Sequence, residues 1–319
     1  MRSSVWIGAV LAVAWIGPAA AQSKIDIFAC EPEWAALAKE LAGDAAVITT
    51  AEAGTENPRD VKVTDDLIAA IKKAKLVICS GAGLEGTWLP ELLKKTPNPS
   101  VQPGNSGNLM AADYVIPLDV SGELSEDEDD TGTDINSPDQ ANPDADAGVG
   151  GDPHVHLNPH NIMLVAEELQ QRLTQIDPDN RSAYDKLYNA FFSRWQDAMD
   201  RWEQDAATLF GTPVATEDDS FAYLIDWLGL VKVAGIEAQP GVAPSKTRID
   251  SLIAALKKRP VRAILATPFN SDPAAKTISA ATGAPVLVLP YTVGGDKESP
   301  DLFGMFDQTL KLLEKNLSS

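Results

Sequence analysis

The three histidines of this 319-residue chain all lie in one short stretch, GDPHVHLNPHN, as His154, His156 and His160. The neutral imidazole ring is a common ligand of transition-metal ions, and zinc sites combine it with cysteine or carboxylate ligands. Because the whole histidine supply falls in this stretch, the pattern predicts part of a metal site. A structural zinc ion takes four protein ligands and a catalytic one takes three, so the others must come from elsewhere in the chain.

The residues that follow predict how these histidines are held. Asn158 and Pro159 form a good helix start, with Asn158 as the cap and Pro159 at the first helical position. If the backbone before Pro159 is extended, His154 and His156 point to the same side and could supply two ligands. Otherwise His156 is a packing residue. His160 falls on the first turn of the helix and is expected to face away from the site.

The two cysteines, Cys30 and Cys79, each end a strand-like run, IDIFAC and KLVICS. Three roles remain open for them. In an oxidising compartment, cysteines at the ends of neighbouring strands are well placed for a disulfide. They could instead be buried free thiols or metal ligands, although their spacing lacks the CxxC pattern of common zinc sites.

The first 21 residues predict an export signal. Arg2 is basic, residues 5–16 are apolar, and three alanines at 19–21 precede a cleavage point before Gln22. No Leu-x-x-Cys pattern precedes that point, so no lipid anchor is expected. No later segment reaches the ~18 apolar residues of a membrane span. We therefore expect a soluble exported protein, located in the periplasm if the cell has two membranes.

The formal net charge of −20 argues against two classes of partner. A surface this acidic repels nucleic acid and anionic lipid, and it mildly concentrates cations. Ten acidic residues and no basic residue lie between Glu123 and Asp146, which predicts a disordered acidic loop over residues 121–150. One piece begins like a calcium loop, but Pro138 stands where a bidentate glutamate is expected. The loop is a candidate contact for a small metallochaperone.

Strand-like and helical segments alternate along the rest of the chain. This rhythm predicts an α/β fold with two parallel-sheet lobes and a ligand cleft at the carboxyl ends of their strands. The longest periodic segment predicts a single helix of about 45 Å that joins the lobes. The predicted domains are a signal peptide, an N-terminal α/β lobe, a backbone linking helix and a C-terminal α/β lobe, over residues 1–21, 22–180, 181–210 and 211–319.

Six segments and the long helix, taken together in this order, resemble one protein family. The segments are FACEPEWAALAKELAGD, CSGAGLEGTWLP, DPHVHLNPHN, SFAYLIDWLGL, EAQPGVAPS and LPYTVGGDKESPDLF. The family is the solute-binding component of zinc- and manganese-type ABC importers. The resemblance implies two lobes with a divalent metal between them, zinc first and manganese second, and delivery of that metal to an ABC permease of the inner membrane. It also implies a monomeric binding protein and no enzymatic activity.

Members of this family place one metal ligand on each of four loops. The resemblance puts His154 on the second loop as a ligand. On the first loop Arg59 stands where the family has histidine, and a guanidinium has no lone pair to give. On the third loop Asp218 replaces the family histidine, either as a ligand or as a cap of the next helix. On the fourth loop Asp296 is the expected ligand, with Asp301 as the alternative.

Three functions remain open. The first is a metal receptor whose site is rebuilt from His154, Asp218 and Asp296, with His156 or water added. The second is a divergent relative in which Arg59 takes the place of the ion and pairs with Asp218, acting as an accessory metal chaperone, a sensor or a receptor for another solute. The third is a secreted metal-dependent hydrolase that uses the histidine cluster. The third is disfavoured because no general base lies at a suitable spacing.

Overall fold

A computed structural model describes residues 24–118, 151–238, 241–270 and 273–317. The predicted signal peptide and the predicted acidic loop both lie outside these ranges. None of the described helices is long and apolar enough to cross a membrane.

The first lobe is built on a four-stranded parallel sheet with the strand order β2-β1-β3-β4. Its central strands read as almost continuous apolar runs because helices cover both faces of such a sheet. The elements are β1 (Ile25–Ala29), α1 (Pro32–Ala42), β2 (Ala46–Thr50), α2 (Asp65–Lys73), β3 (Leu76–Cys79), α3 (Leu89–Lys95), β4 (Asn108–Met110) and α4 (Pro159–Ile176).

The second lobe repeats this plan with a second four-stranded parallel sheet, in the order β6-β5-β7-β8. The helix α5 (Arg181–Ala206) precedes it. The predicted fold class, two parallel-sheet lobes joined by one long helix, is confirmed. The elements are β5 (Pro213–Thr216), α6 (Ala222–Leu228), β6 (Val231–Gly235), α7 (Lys246–Lys258), β7 (Ile264–Ala266), α8 (Pro273–Thr282), β8 (Val286–Val288) and α9 (Leu302–Leu317).

The long helix α5 packs against both lobes. It has 26 residues, which gives a length of about 39 Å at 1.5 Å per residue. Trp195 near its middle donates its indole N–H to the main-chain oxygen of Pro159, at 3.0 Å, in the first lobe. Trp202, two turns later, lies with its ring centroid 4.9 Å from that of Phe306 on α9. The aromatic face of α5 therefore ties the lobes into one buried apolar cluster that extends from β1 to α9.

The helix α4 begins where its sequence predicts. The Asn158 side chain accepts a hydrogen bond from the main-chain N–H of His160, and Pro159 occupies the first helical position. The segment before it is not extended, because Val155–Leu157 forms a 3-10 turn. Because of this turn, the side chains of His154 and His156 lie in different surroundings.

Cys30 and Cys79 form a disulfide with a Cα–Cα distance of 4.8 Å. They follow β1 and end β3, which are neighbours in the first sheet. Of the three roles left open by the sequence, the structure selects the disulfide, and neither cysteine is available as a metal ligand.

The loops after the strands bring the two lobes into direct contact. Thr292 of the second lobe donates its hydroxyl to the carboxylate of Glu33 at the start of α1. Gly54, after β2, lies so close to the second lobe that an added Cβ atom would sit 2.3 Å from the main-chain oxygen of Val293. Leu118 donates its main-chain N–H to the Tyr223 hydroxyl at 3.1 Å. These contacts position the cleft between the carboxyl ends of the two sheets.

Candidate metal-binding cleft

A cavity of about 410 Å³ lies between the lobes. Its walls come from loops that follow the strands of both sheets, where sheets of this topology bind ligands. The residues with chemically active side chains that line it are Arg59, Asp60, Asp152 and His154 from the first lobe, and Asp218, Asp219, Ser220, Glu237, Asn270 and Tyr291 from the second. The cavity thus brings together two of the three predicted ligands, His154 and Asp218.

His154 is held rigidly in this wall. It is only 7% exposed, and its Nδ1 lies 2.9 Å from the Oδ1 atom of Asp152. The same oxygen accepts the main-chain N–H of His154 at 2.8 Å. A carboxylate on Nδ1 holds the proton there and leaves Nε2 as the lone-pair donor, an arrangement that is usual for metal-binding histidines. Sequence reasoning missed Asp152, although it is the first residue of the DPH motif that singled out His154.

Asp218 combines both roles that the sequence left open. Its Oδ1 accepts the main-chain N–H of Ser220 at 2.9 Å, just before α6. Its Oδ2 accepts the side-chain amide of Asn270 at 2.9 Å. Because a carboxylate has about four acceptor sites, these two bonds leave lone pairs for a ligand in the cavity. Asp218 is therefore a loop-stabilising residue that keeps the capacity to bind a cation.

Asp296 and Asp301 are not among the described residues that line the cavity. Oδ1 of Asp296 accepts the Ser299 hydroxyl at 2.7 Å, and its Oδ2 accepts the Gln308 amide at 3.0 Å. Asp301 accepts the main-chain N–H of Gly304 at 2.8 Å, at the start of α9. Both carboxylates stabilise the loop before α9. The expectation that Asp296 is a ligand finds no support in this geometry, and Tyr291 is the residue of this loop that lines the cavity.

Arg59 lines the cavity, but its guanidinium has no lone pair and cannot act as a metal ligand. It lies in the 3-10 turn Pro58–Asp60, which the Asn57 side chain caps. Its side chain is partly exposed. Among the described residues, no carboxylate forms an ion pair within 4.0 Å of its guanidinium. The pair with Asp218 that the second hypothesis required is thus not formed, and Arg59 adds to the cavity a positive charge that no described carboxylate pairs with.

The candidate ligands do not converge into a compact metal site. Within the described ranges, one group of three histidine, cysteine or carboxylate side chains has all its ligand atoms within 4.8 Å of one another, namely Cys30, Cys79 and Glu85. That group is excluded because its two sulfur atoms form the disulfide. His154 and Asp218 therefore share a cavity without forming a compact three-ligand group with another described residue.

The other two histidines serve the fold. His156 is fully buried, with Nε2 2.9 Å from the main-chain oxygen of Tyr291 and Nδ1 3.2 Å from the Glu33 carboxylate. Burial lowers the pKa of His156 more than the nearby Glu33 raises it, so the ring is neutral. His160 lies exposed on the first turn of α4, with Nε2 2.9 Å from Glu203. The geometry gives both histidines structural roles.

Four buried glutamates form a cluster beside Tyr291. They are Glu31, Glu33, Glu52 and Glu85, all less than 9% exposed, on loops and a helix start at the carboxyl end of the first sheet. Sequence reasoning missed them, because charged residues are normally assigned to the surface. The signal available was the pair of glutamates directly after β1, in ACEPEW.

Burial raises the pKa of three of these four carboxyls, Glu31, Glu52 and Glu85. Burial raises the pKa of Glu52 to about 9, with further contributions from Glu33, Glu56 and Glu85. Burial also raises the pKa of Glu31 well above its usual value, helped by the negative charge of Glu85. The main-chain N–H of Ser80 binds both Glu31 and Glu85, at 3.1 and 2.8 Å. At neutral pH the cluster is a partly protonated network and not a set of free anions.

Comparison with known proteins agrees with the fold. Residues 27–316 match the family model for zinc-uptake complex component A, periplasmic (ZnuA). The high-affinity zinc uptake system protein ZnuA of Bacillus subtilis (strain 168) is 27% identical over 150 residues, which are 47% of this chain and 47% of that protein. The match thus spans about half the length of that relative. The metal ABC transporter substrate-binding lipoprotein SsaB of Streptococcus sanguinis is 20% identical over 273 residues, 83% of this chain and 79% of that one.

Solved structures show the same two-lobed fold. A crystal structure of ZnuA superimposes with a TM-score of 0.71 at 20% identity, covering 93% of this chain and all of that one. A cadmium-bound periplasmic metal binding protein from Candidatus Liberibacter asiaticus gives a TM-score of 0.70 at 18% identity, with coverages of 92% and 99%. Because the family model spans nearly the whole described chain, this protein belongs to the family of the periplasmic zinc-uptake component ZnuA.

Proposed function

We propose that this protein is a periplasmic receptor that binds a divalent transition metal, zinc first and manganese second, and delivers it to an ABC permease. One observation carries the proposal. The imidazole of His154, fixed by Asp152, lines a cavity that both lobes share and that also contains the carboxylate of Asp218. The named relatives are zinc uptake and metal ABC transporter proteins, which supports a metal as cargo.

His154 and Asp218 are the proposed protein ligands of the cargo. An imidazole nitrogen suits zinc, and a carboxylate oxygen suits both zinc and the harder manganese ion. Asp296 is left out of this set because both its oxygens bind residues around the start of α9. Because His154 belongs to one lobe and Asp218 to the other, binding of the ion depends on how the two lobes are placed relative to each other. Binding would then favour the arrangement that the permease recognises, which is a population shift driven by the ligand.

The proposal is binding and release, without turnover. A hydrolase built on the histidine cluster would need several of its imidazoles at one ion. The geometry separates them, since His156 donates to the main-chain oxygen of Tyr291 beside Glu33, while Nε2 of His160 lies 2.9 Å from Glu203. The separation of the three imidazoles therefore favours a receptor over a hydrolase.

Isothermal titration calorimetry of the metal-stripped protein with Zn²⁺ and with Mn²⁺ tests this function. We expect one ion per chain for the wild type and loss of that binding in His154→Ala. His160→Ala is the matched control, because its imidazole is exposed and 2.9 Å from a surface glutamate. Equal binding by the wild type and His154→Ala would exclude this site, and absence of binding by the wild type under all loading conditions would exclude the function.

A further inference from the structure

The described donors that line the cavity do not converge into the coordination shell of a metal ion. Zinc in structural sites takes four ligands, and manganese prefers an octahedral set of six. Four carboxylates line the cavity besides His154 and Asp218: Asp152 orients His154, Asp219 accepts from Lys232, Glu237 accepts the main-chain N–H of Gly241, and Asp60 is exposed. In the described part of the chain, no three histidine or carboxylate side chains bring their ligand atoms within 4.8 Å of one another. In this arrangement the cargo itself or water would supply the remaining donors.

Arg59 adds a charge that a bare cation would avoid. A guanidinium stays protonated at any physiological pH, and its planar fork fits a carboxylate with two parallel hydrogen bonds. Arg59 lines the same cavity as His154 and Asp218. Within the described chain, no carboxylate lies within 4.0 Å of it to neutralise it. The cavity therefore presents cation-binding groups and an anion-binding group to the same ligand.

The cavity is also larger than an ion requires. Each water molecule occupies roughly 30 Å³ in the liquid, so an ion with six waters fills about 180 Å³. The cavity measures about 410 Å³, which leaves more than half of its volume for other atoms. The half-buried ring of Phe269 forms an aromatic wall on one side, and the fully buried ring of Tyr291 packs against it with the centroids 5.1 Å apart. Such walls are typical of sites for small organic ligands.

We propose that the cargo is a divalent metal ion already held by a small organic carboxylate chelator, of the size of an amino acid or a hydroxy acid. His154 and Asp218 bind the metal, Arg59 binds a carboxylate of the chelator, and the aromatic wall contacts its carbon skeleton. The inference rests on the proposed function, since it keeps the metal as cargo and adds its organic partner. The chelator supplies the missing donors and offsets the charge of Arg59.

Equilibrium dialysis with radiolabelled chelators measures the organic partner directly. Metal-stripped protein is dialysed against Zn²⁺ alone, against Zn²⁺ with L-histidine, against Zn²⁺ with citrate, and against each chelator without metal. We expect one chelator retained per bound zinc, and less than a tenth of that retention when zinc is omitted. The two chelator arms separate the amino acid from the hydroxy acid.

Arg59→Gln tests the anion-binding role. It should reduce chelator retention at least tenfold while zinc alone binds as well as before or better, because a positive charge has been removed. Arg259→Gln is the matched control, since Arg259 is exposed at the end of α7 and does not line the cavity. Thermal unfolding of each variant checks that the fold is kept.

The possible results separate the inference from the function on which it rests. Stoichiometric zinc without retained chelator, in the wild type and in Arg59→Gln alike, would overturn the inference and leave the metal receptor standing. Retention of a chelator at full level without zinc would overturn both, because the protein would then be a receptor for an organic anion. If the chelator is retained only when zinc is present and Arg59 is intact, the result supports both the inference and the proposed function.

Discussion

His156 and Tyr291 join the two lobes by a hydrogen bond in which Nε2 of the imidazole donates to the main-chain oxygen at 2.9 Å. The Tyr291 ring also packs edge-on against His154, with centroids 5.6 Å apart, and against His156 at 5.2 Å. One aromatic residue therefore touches the histidine that faces the cavity and the histidine that faces the protein interior. This relationship couples the candidate ligand to the contact between the lobes.

His156→Ala is expected to destabilise the protein without removing the metal ligand. The change removes the bond to Tyr291 and leaves the buried Glu33 without its imidazole neighbour. We expect a loss of about 2–4 kcal/mol in the free energy of unfolding, because buried groups are left unsatisfied. Urea denaturation measures it. His160→Ala should change stability by less than about 1 kcal/mol, and equal effects of the two changes would contradict the assigned roles.

The buried glutamates predict that stability falls as pH rises. The pKa of Glu52 is about 9 in the folded protein, against 4.5 for an unperturbed glutamate side chain. Between these values the native state keeps a proton that the unfolded state has lost. The free energy of unfolding therefore decreases through this window, by up to about 1.4 kcal/mol per pH unit from this group.

Glu52→Gln should remove that contribution. Neither carboxylate oxygen of Glu52 has a hydrogen-bond partner among the described residues, so the amide loses no such contact and cannot ionise. Denaturation curves from pH 5 to pH 8 should show a shallower fall of stability with pH in Glu52→Gln than in the wild type. Glu167→Gln, at an exposed position of α4, is the control. Parallel pH profiles of Glu52→Gln and the wild type would show that Glu52 ionises normally.

The disulfide predicts a second stability effect. It closes a loop with a sequence separation of 49 residues within the first lobe, for which the chain-entropy treatment gives about 4 kcal/mol. Replacing both Cys30 and Cys79 with serine should lower the free energy of unfolding by about 2–4 kcal/mol. A reducing agent should lower the stability of the wild type to a similar degree and leave the double variant unchanged. No effect of the reductant on the wild type would mean that the bond is not formed.

Features set by local patterns could be predicted from the sequence. The cap and proline at Asn158 and Pro159 place the start of α4, and the apolar spacing around Trp195 and Trp202 places α5. Both depend on interactions within a few residues or on a helical period. The parallel sheets follow from the alternation of strands and helices, which leaves few other topologies.

Features that depend on long-range contacts could not be predicted. Asp296 follows the last strand as a fourth-loop ligand should, but its carboxylate binds Gln308, twelve residues further along the chain. The buried position of Glu31 depends on Ser80 and Glu85, which lie about fifty residues away. No local pattern marks such pairs. The resemblance to a family did identify Arg59 and Asp218 as departures from its ligand set, and the structure places both at one cavity.

Converting Arg59 and Asp218 to histidine is the most direct test of why the ligand set is incomplete. In Arg59→His with Asp218→His, imidazoles at both positions would line the same cavity as His154 and remove a positive charge from it. We expect the affinity for free Zn²⁺ to rise at least tenfold, which is about 1.4 kcal/mol, as measured by competition with a zinc-binding dye.

The control is Arg59→Gln with Asp218→Asn, which changes the same charges and adds no nitrogen donor with a free lone pair. Its zinc affinity should fall below that of the wild type, because the Asp218 carboxylate is lost as a ligand. If the histidine pair and this control bind zinc equally, the gain would come from charge alone and the positions would not face a common ion. If the histidine pair binds zinc more tightly and also stops retaining a chelator, Arg59 has exchanged a metal-ligand position for recognition of the organic anion.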